Sequence, residues 1–418
     1  MIQQKLIRDG LPLLLALLCG SSGAGTRAWA SEQPLLPEPK QPRSLQRALK
    51  LPDWLKLEIA YTAEPMTNPV GGIAQSSAWI QEGSINLSAS SGHQKPEQSW
   101  QEFDHWRVNL NLNHLAGDAS YASRIGAFLN LQTLSYPSGF YPTELSVERK
   151  AGSGWLQVKA GVIPLESDFE GALMTAPIFN SYVHSALNDT YNVLIDALPI
   201  NPYSTLAAVV DLKASPELTL RYGWYDLGSL DSVSATLGTP VTMIPAGLGS
   251  LQVLQLDYSP AALSRGAPAS SSLPPGLISL GGYGSSANGN GVYGSVTWRS
   301  GLALGLDDRL WIGGNYSPSV QLNPSPSFLG GGLVVQGLFP KRPLDLLVLG
   351  GGHAGLSSQA PPSYPTKPYE GLIELGYRLQ LNPNLNLQPT LQWIFNPSGS
   401  QTPTPGILST SLQISLNL

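Results

Sequence analysis

From Trp54 onward, apolar and polar residues alternate in this sequence with a period of two. Leu55, Leu57, Ile59 and Tyr61 alternate with Lys56, Glu58 and Ala60, and Trp106, Val108, Leu110 and Leu112 alternate with Arg107, Asn109, Asn111 and Asn113. Near the C-terminus, Tyr369, Gly371, Ile373, Leu375, Tyr377, Leu379 and Leu381 form one row. Leu385, Leu387, Pro389, Leu391, Trp393 and Phe395 form a second, and Leu408, Thr410, Leu412, Ile414, Leu416 and Leu418 a third. A strand sends successive side chains to opposite faces, so each row marks one face of a strand. Each row is about ten residues long, the length that crosses a bilayer at a tilt, whereas soluble strands average about five or six. Aromatic residues gather toward segment ends, as with Trp54 and Tyr61, Tyr222 and Trp224, and Trp393 and Phe395. Amphipathic rings favour the headgroup level, where they form the girdles of a membrane barrel.

The same rhythm marks further strands around 83–90, 122–134, 144–150, 154–162, 205–212, 217–225, 251–258, 276–284, 291–298, 308–316, 331–339 and 344–350. No composition break divides them, so residues 54–418 read as one domain. Only 12% of the 418 residues are charged, against about 25% in an ordinary soluble domain. A disordered chain would carry more charge, a helical membrane protein would show apolar runs of about 20 residues, and a nucleic-acid binder would be basic, whereas the net charge is −5. These features predict an all-β fold, a transmembrane antiparallel β-barrel of about 16 strands, with 18 the neighbouring count. Lipid offers no hydrogen bonds to an open sheet edge, so the barrel must close, and the final row ending at Leu418 predicts the closing strand.

The N-terminus reads as an export signal. Lys5 and Arg8 precede the apolar run Leu11–Leu18, and Ala28-Trp29-Ala30 supplies a small-residue cleavage site, so residues 1–30 are expected to be removed. Cys19, the single cysteine, follows the apolar run, but Ala16-Leu17-Leu18 lacks the small residue expected just before a lipidated cysteine. Cleavage after Ala30 then leaves no thiol for a disulfide or a thiolate metal site. Residues 31–53 form a proline-rich segment with one expected helical turn around 44–50.

Catalytic motifs find no support. Gly350-Gly351-Gly352-His353-Ala354-Gly355 matches a G-x-G-x-x-G pattern. That motif must open a helix to present amides to a pyrophosphate, and Pro361, Pro362, Pro365 and Pro368 forbid one. His93, His105, His114, His184 and His353 lack metal-ligand spacing, Asp307-Asp308 reads as a solvated turn, and no G-x-S-x-G elbow occurs. The expectation is a protein with no cofactor, no metal and no enzymatic activity.

The remaining chemistry is that of a pore. Opposite the lipid-facing rows lie Arg107, Asn109, Asn111, Lys159, Arg221, Glu374, Arg378 and Gln380, whose charges and amides would set ion preference and exchange hydrogen bonds with a polar solute. Residues 163–204 lack clean alternation and carry Glu166, Asp168, Phe169, Asp189 and Tyr191; a connection of that length is usually functional or disordered.

Three stretches resemble the bacterial carbohydrate-selective porin family (OprB-type). They are Leu57–Gly72 (LEIAYTAEPMTNPVGG), Leu145–Asp226 with its W-L-Q-V-K-A-G strand at Trp155–Gly161, and Tyr369–Pro397 with E-L-G-Y-R-L-Q-L-N-P at Glu374–Pro383. The resemblance spans roughly 55–418 and is weakest over 230–365, where only the strand rhythm is shared. It implies an outer-membrane porin of a Gram-negative-type bacterium, with short periplasmic turns and longer external loops, that passes small hydrophilic solutes, sugars foremost. It also implies that the 163–204 loop folds inward, with Glu166, Asp168 and Asp189 facing basic wall residues across a transverse field, and Phe169 and Tyr191 stacking on sugar rings. Implied partners are outer-membrane lipid and lipopolysaccharide, permeant sugars or ions, the barrel-assembly machinery and, as an alternative to a monomer, a homotrimer; no nucleic acid is among them. The competing readings are a general or inorganic-ion porin, a secreted soluble β-rich binding protein, and an outer-membrane enzyme.

Overall fold

The computed structural model describes residues 45–91, 105–129, 131–132, 134–151, 154–169, 203–227, 249–268, 271–285, 289–303, 305–359 and 367–418. The chain divides into two units, Met1–Lys40 and Gln41–Leu418, and every described residue belongs to the second. The expected signal peptide and the first part of the proline-rich segment therefore lie outside the described residues. A short helix, α1 (Leu45–Ala48), occupies the expected helical turn.

Sixteen strands are formed among the described residues: β1 (Leu55–Val70), β2 (Ser77–Ser90), β3 (His105–Gly117), β4 (Gly139–Ala151), β5 (Leu156–Ile163), β6 (Thr205–Ser215), β7 (Leu218–Asp226), β8 (Ser250–Tyr258), β9 (Leu277–Ser285), β10 (Gly289–Trp298), β11 (Asp307–Tyr316), β12 (Ser327–Gln336), β13 (Leu346–Gly355), β14 (Tyr369–Asn382), β15 (Leu385–Phe395) and β16 (Ile407–Asn417). Each pairs antiparallel with its sequence neighbours, and β1 pairs with β16 to close the barrel, with Ala63 opposite Ile414 and Thr67 opposite Thr410. Leu418 completes the seam, its N–H donating to Ile59 O at 2.8 Å while its carbonyl accepts from Ile59 N at 3.3 Å. The ladder leaves no open edge, as a hydrocarbon environment requires.

The alternation maps onto the two faces of the wall. Ile85, Val108, Leu145, Leu254, Leu280, Ile312, Leu329, Leu349, Ile373 and Leu391 are exposed on the outside. In a watery setting such a surface would be a liability, whereas in lipid it is the required solvent contact. Where outward rows carry charge, it lies at strand ends, as with Arg149, whose guanidinium sits 5.3 Å from the Trp106 ring. On the β1–β2 wall, Gln81 accepts from Tyr61 Oη at 2.7 Å and Trp79 Nε1 at 3.1 Å, so the polar tips of two exposed aromatics share one partner.

Three local expectations need correction. The strand predicted over 122–134 is not formed among the described residues. It is replaced by α2 (Tyr121–Ile125) and a connection folded into the lumen. Its apolar rhythm is real, but Ile125, Ala127, Leu129 and Leu131 pack against the inner wall instead of pairing with a strand. The strand expected over 344–350 runs on through Gly350–Gly355, which form the second half of β13, paired on both sides, with Gly351 opposite Gly331 and Ile373. Asp307 and Asp308 open β11 and are buried. Asp308 accepts from the backbone N–H of Ser300 at 2.8 Å and of Gly301 and Ala303 at 3.0 Å, while Asp307 pairs with Arg309 at 2.7 Å. A carboxylate supplied with that many donors is stable out of water.

The barrel end that carries both termini of the strand array, Leu55 and Asn417, is called here the terminal end. Three of the turns there are short, residues 152–155, 216–217 and 383–384, as expected, and the others are longer. The 259–276 connection is the one whose described residues reach the inner wall cluster. Its Leu273 is buried against the inner-wall cluster that contains Trp311 and Leu346. Arg309, 1% exposed, donates from Nε to Pro274 O at 2.7 Å, and Ser272 donates through its N–H and hydroxyl to Gln336 Oε1, both at 2.9 Å.

Candidate functional site

The lumen is divided lengthwise into two unlike halves. On one side, every strand of β11–β16, β1 and β2 contributes to a single apolar cluster, including Met66, Ile80, Phe328, Val348, Leu372, Ile394 and Ile407. The cluster is completed from above by Tyr121, Ile125, Leu129 and Leu131 of the 118–138 connection and from the terminal end by Leu273. Fully burying each such large side chain contributes about 1.5–3 kcal/mol, which works against the conformational entropy lost when a long loop is ordered.

Polar contacts then fix where the 118–138 connection sits. Glu370, on the lumenal row of β14, accepts from Phe128 N at 2.8 Å, Leu129 N at 3.0 Å and Ser398 N at 2.8 Å. Gln392 of β15 donates to Leu131 O at 2.7 Å and to Glu374 Oε2 at 2.8 Å. Tyr121 and Ser409 share a hydroxyl hydrogen bond of 3.1 Å, and Ile73 N donates to Ile125 O at 3.0 Å. Gly399 N donates to Gly126 O at 3.0 Å, and a Cβ on Gly399 would stand 2.2 Å from Ala127 O, so this close approach requires glycine. At the entry to α2, the Ser120 hydroxyl, aided by its N–H and by Arg124 at 2.6 Å, holds the Asp118 carboxyl below the usual carboxylate range.

The other half is lined by a belt of hydrogen-bonded polar side chains running across β2–β10. Ser88 donates to Asn109 Oδ1 at 2.9 Å, Asn109 donates to Ser146 Oγ at 3.2 Å, and Ser146 donates to Glu144 Oε1 at 2.5 Å. Lys159 lies 3.8 Å from Glu144 and 2.7 Å from Asp168, and Arg107 lies 3.6 Å from Glu148. Arg221 makes a fork to Asp211, with Nε–Oδ1 at 2.7 Å and Nη2–Oδ2 at 3.2 Å, and reaches Asp257 Oδ2 at 3.2 Å and the Asp168 carbonyl. Asp257 also accepts from Gln255 at 2.8 Å and Ser279 at 2.7 Å, and Tyr293 donates to Gln255 at 2.7 Å. The alternating row alone puts these groups on the inner face. The antiparallel register, with Asp211 opposite Arg221 and Glu148 opposite Lys159, puts opposite charges side by side.

Where the long 163–204 connection is described, it enters the lumen. Phe169 is fully buried, with its ring 6.3 Å from that of Tyr225 and 5.9 Å from the Arg221 guanidinium. Gly223 makes room for it, since a Cβ there would meet the Phe169 ring at 2.6 Å. At the other end of the connection, Tyr203 packs edge-on against Tyr136 at 5.7 Å and Tyr141 at 5.9 Å, and burial pushes its phenol up. The Tyr136–Tyr203 contact joins the two inward connections.

The sequence-predicted site residues therefore separate into groups. Arg107, Lys159 and Arg221 stand together in the belt, and Asp168 and Phe169 join them from the loop. Glu374 and Arg378 do not: both are on β14, on the opposite half, where Glu374 lies beneath the inserted connection and Arg378 donates to Gln388 at 2.8 Å. Asp189 and Tyr191 lie outside the described residues, as does the Glu166 side chain, whose backbone lies in the 3-10 turn Leu165–Ser167. Of the loop acids expected to face basic wall residues, Asp168 stands 2.7 Å from Lys159, while Glu144, Asp211 and Asp257 pair with bases of their own wall. Sequence reasoning passed over Glu144, Asp211, Asp257 and Glu370. Asp211 was recoverable from hairpin register, since the short β6–β7 turn already places it across from Arg221, whereas Glu144 and Asp257 reach their bases from positions not directly opposite them, and nothing local marks Glu370 as the acceptor for a loop some 240 residues away.

Comparison with known proteins follows the same line. The family model described as "Carbohydrate-selective porin, OprB family" matches residues 102–417. Two solved structures of Pseudomonas putida OprB are similar in fold. The one at high pH has a TM-score of 0.72 at 16% identity, covering 89% of this chain and 96% of that one. The one at low pH has a TM-score of 0.54 at 14% identity, covering 89% and 95%. A comparison with curated protein sequences yields no match.

Proposed function

The chain belongs to the OprB family of carbohydrate-selective porins, and on that premise we propose how its divided lumen works. The protein is an outer-membrane β-barrel channel for carbohydrates. Permeant sugar passes along the polar half, between the inserted connections and the wall of β2–β10, by passive diffusion down its gradient. The hydrogen-bonded belt carries this reading. Its amides, hydroxyls, carboxylates and guanidinium can each exchange a water for a sugar hydroxyl at little net cost, because donors and acceptors are already oriented. Arg221 and Lys159, held by their carboxylates, act as fixed donors, while Glu144, Asp211 and Asp257 act as acceptors. Phe169 offers an apolar edge beside Arg221. Glu374 and Arg378 brace the filled half and do not meet the solute. No step in this passage makes or breaks a covalent bond, so the protein works as a channel and not as an enzyme.

The first 30 residues act as an export signal and residues 31–53 as a tether to the barrel, which takes up 54–418. N-terminal sequencing of the purified channel is expected to read Ser31 first, and an intact Met1 would refute the export signal. The barrel-assembly machinery would insert the chain, whether it then stays single or forms a trimer. Function is tested in planar bilayers by titrating sugar against single-channel current. Concentration-dependent, saturable block is the expected result. Unaltered current together with marked ion preference would replace the sugar reading with an inorganic-ion channel.

A further inference from the structure

Below the belt, toward the terminal end, the inner rows of β3–β9 and the turns between them line an open recess of about 300 Å³. It is lined in part by Gln157 of β5, Asp211 and Lys213 of β6, Thr219 of β7 and Asp257 of β8. Gln157, Lys213 and Thr219 turn polar side chains toward this space and have no side-chain hydrogen bond or ion pair among the described residues. Asp211 and Asp257 form its upper edge. Arg221 engages both Asp211 oxygens and one oxygen of Asp257, whose other oxygen accepts from Gln255 and Ser279; since an ionised carboxylate offers about four lone-pair sites, Asp211 keeps the larger spare acceptor capacity.

We propose that this recess is a second solute site, at the terminal mouth of the channel, that holds a single neutral polyol ring; the proposal rests on the carbohydrate reading above. The argument is one of elimination by charge. A cation entering would meet Arg107, Lys150 and Lys213, and an anion would meet Glu148, Asp211, Glu217 and Asp257, so neither is matched by the lining. A hydroxyl both donates and accepts, and therefore suits an amide, a hydroxyl, an ammonium and two carboxylates on one surface. The volume lies at the lower end of the range for ligand pockets, about 300–1,000 Å³, which suits one sugar ring and not an oligosaccharide. The site would hold a solute that has already passed the belt, shortening the jump from constriction to bulk water.

The test is single-channel recording with glucose added to one side at a time, comparing the wild-type channel with the triple variant Gln157→Leu, Thr219→Val, Lys213→Met. Loss of several hydrogen-bonding groups is expected to weaken glucose block from the terminal side by roughly tenfold or more, with block from the opposite side retained. Single variants Gln157→Leu and Thr219→Val, each expected to give part of that loss, cover failure of the triple variant to assemble. Terminal-side block within twofold of wild type would overturn the mouth site while leaving the carbohydrate channel intact. A wild-type channel that glucose blocks from neither side would overturn both.

Discussion

Excising residues 119–137, so that β3 and β4 join through a short turn, is expected to raise single-channel conductance roughly threefold or more, because a barrel of 16 strands otherwise encloses a wide aqueous lumen. The native connection fills one half of that lumen. Its Ile125, Leu129 and Leu131 pack on Leu372, Ile394 and Ile407, and its backbone N–H groups are held by Glu370. The strand ladder does not depend on this insertion, since β3 and β4 pair directly from His105 opposite Lys150 to Leu115 opposite Gly139. Sugar block should weaken in the same channel as the wall opposite the belt recedes. A second variant, Glu370→Ala, leaves three backbone donors without their acceptor, two of them in the connection, and should produce brief openings to the larger conductance. If both variants conduct as wild type does, the connection does not fill the conducting lumen.

Replacing Arg221 by Ala is expected to shift the reversal potential under a salt gradient toward cation selectivity, raising the cation-to-anion permeability ratio roughly tenfold. The estimate follows from electrostatics: a unit charge about 4 Å from a passing ion is worth between about 1 kcal/mol in water and about 4 kcal/mol at a protein surface, and 1.4 kcal/mol is a factor of ten. In the native belt, Arg107, Lys159 and Arg221 stand against Glu144, Glu148, Asp168, Asp211 and Asp257, so acid is already in excess. Losing Arg221 leaves Asp211 and Asp257 without the cation that pairs with them. Arg221→Lys should retain most of the native selectivity while losing the two-pronged contact to Asp211, since an ammonium is a compact point charge. Arg378→Ala should leave selectivity nearly unchanged, because that side chain lies on the far wall. A reversal potential that responds to Arg378 but not to Arg221 would place the conducting path in the wrong half.

How much of this was legible beforehand differs by level. The rows at 369–381, 385–395 and 408–418 match β14, β15 and β16 closely, because in a barrel wall one face meets lipid and the other meets water, so every second residue reports its surroundings. The segment at 122–134 misled for the same reason turned round: its alternating apolar residues answer to an apolar inner wall and not to lipid. Arg107, Lys159 and Arg221 could be placed on the inner face from alternation. That Glu374 would be covered by a loop could not, because the contact pairs residues far apart in sequence.

The sequence by itself determined the class of fold, the membrane setting and the inward-facing row, since each is written in a period of two and in the near absence of charge outside it. Only the tertiary structure decided which half of the lumen is filled and which is lined. That choice rests on where two long connections find apolar wall residues to bury against and buried carboxylates and amides to receive their backbone, and such partners are brought together only by closing the barrel.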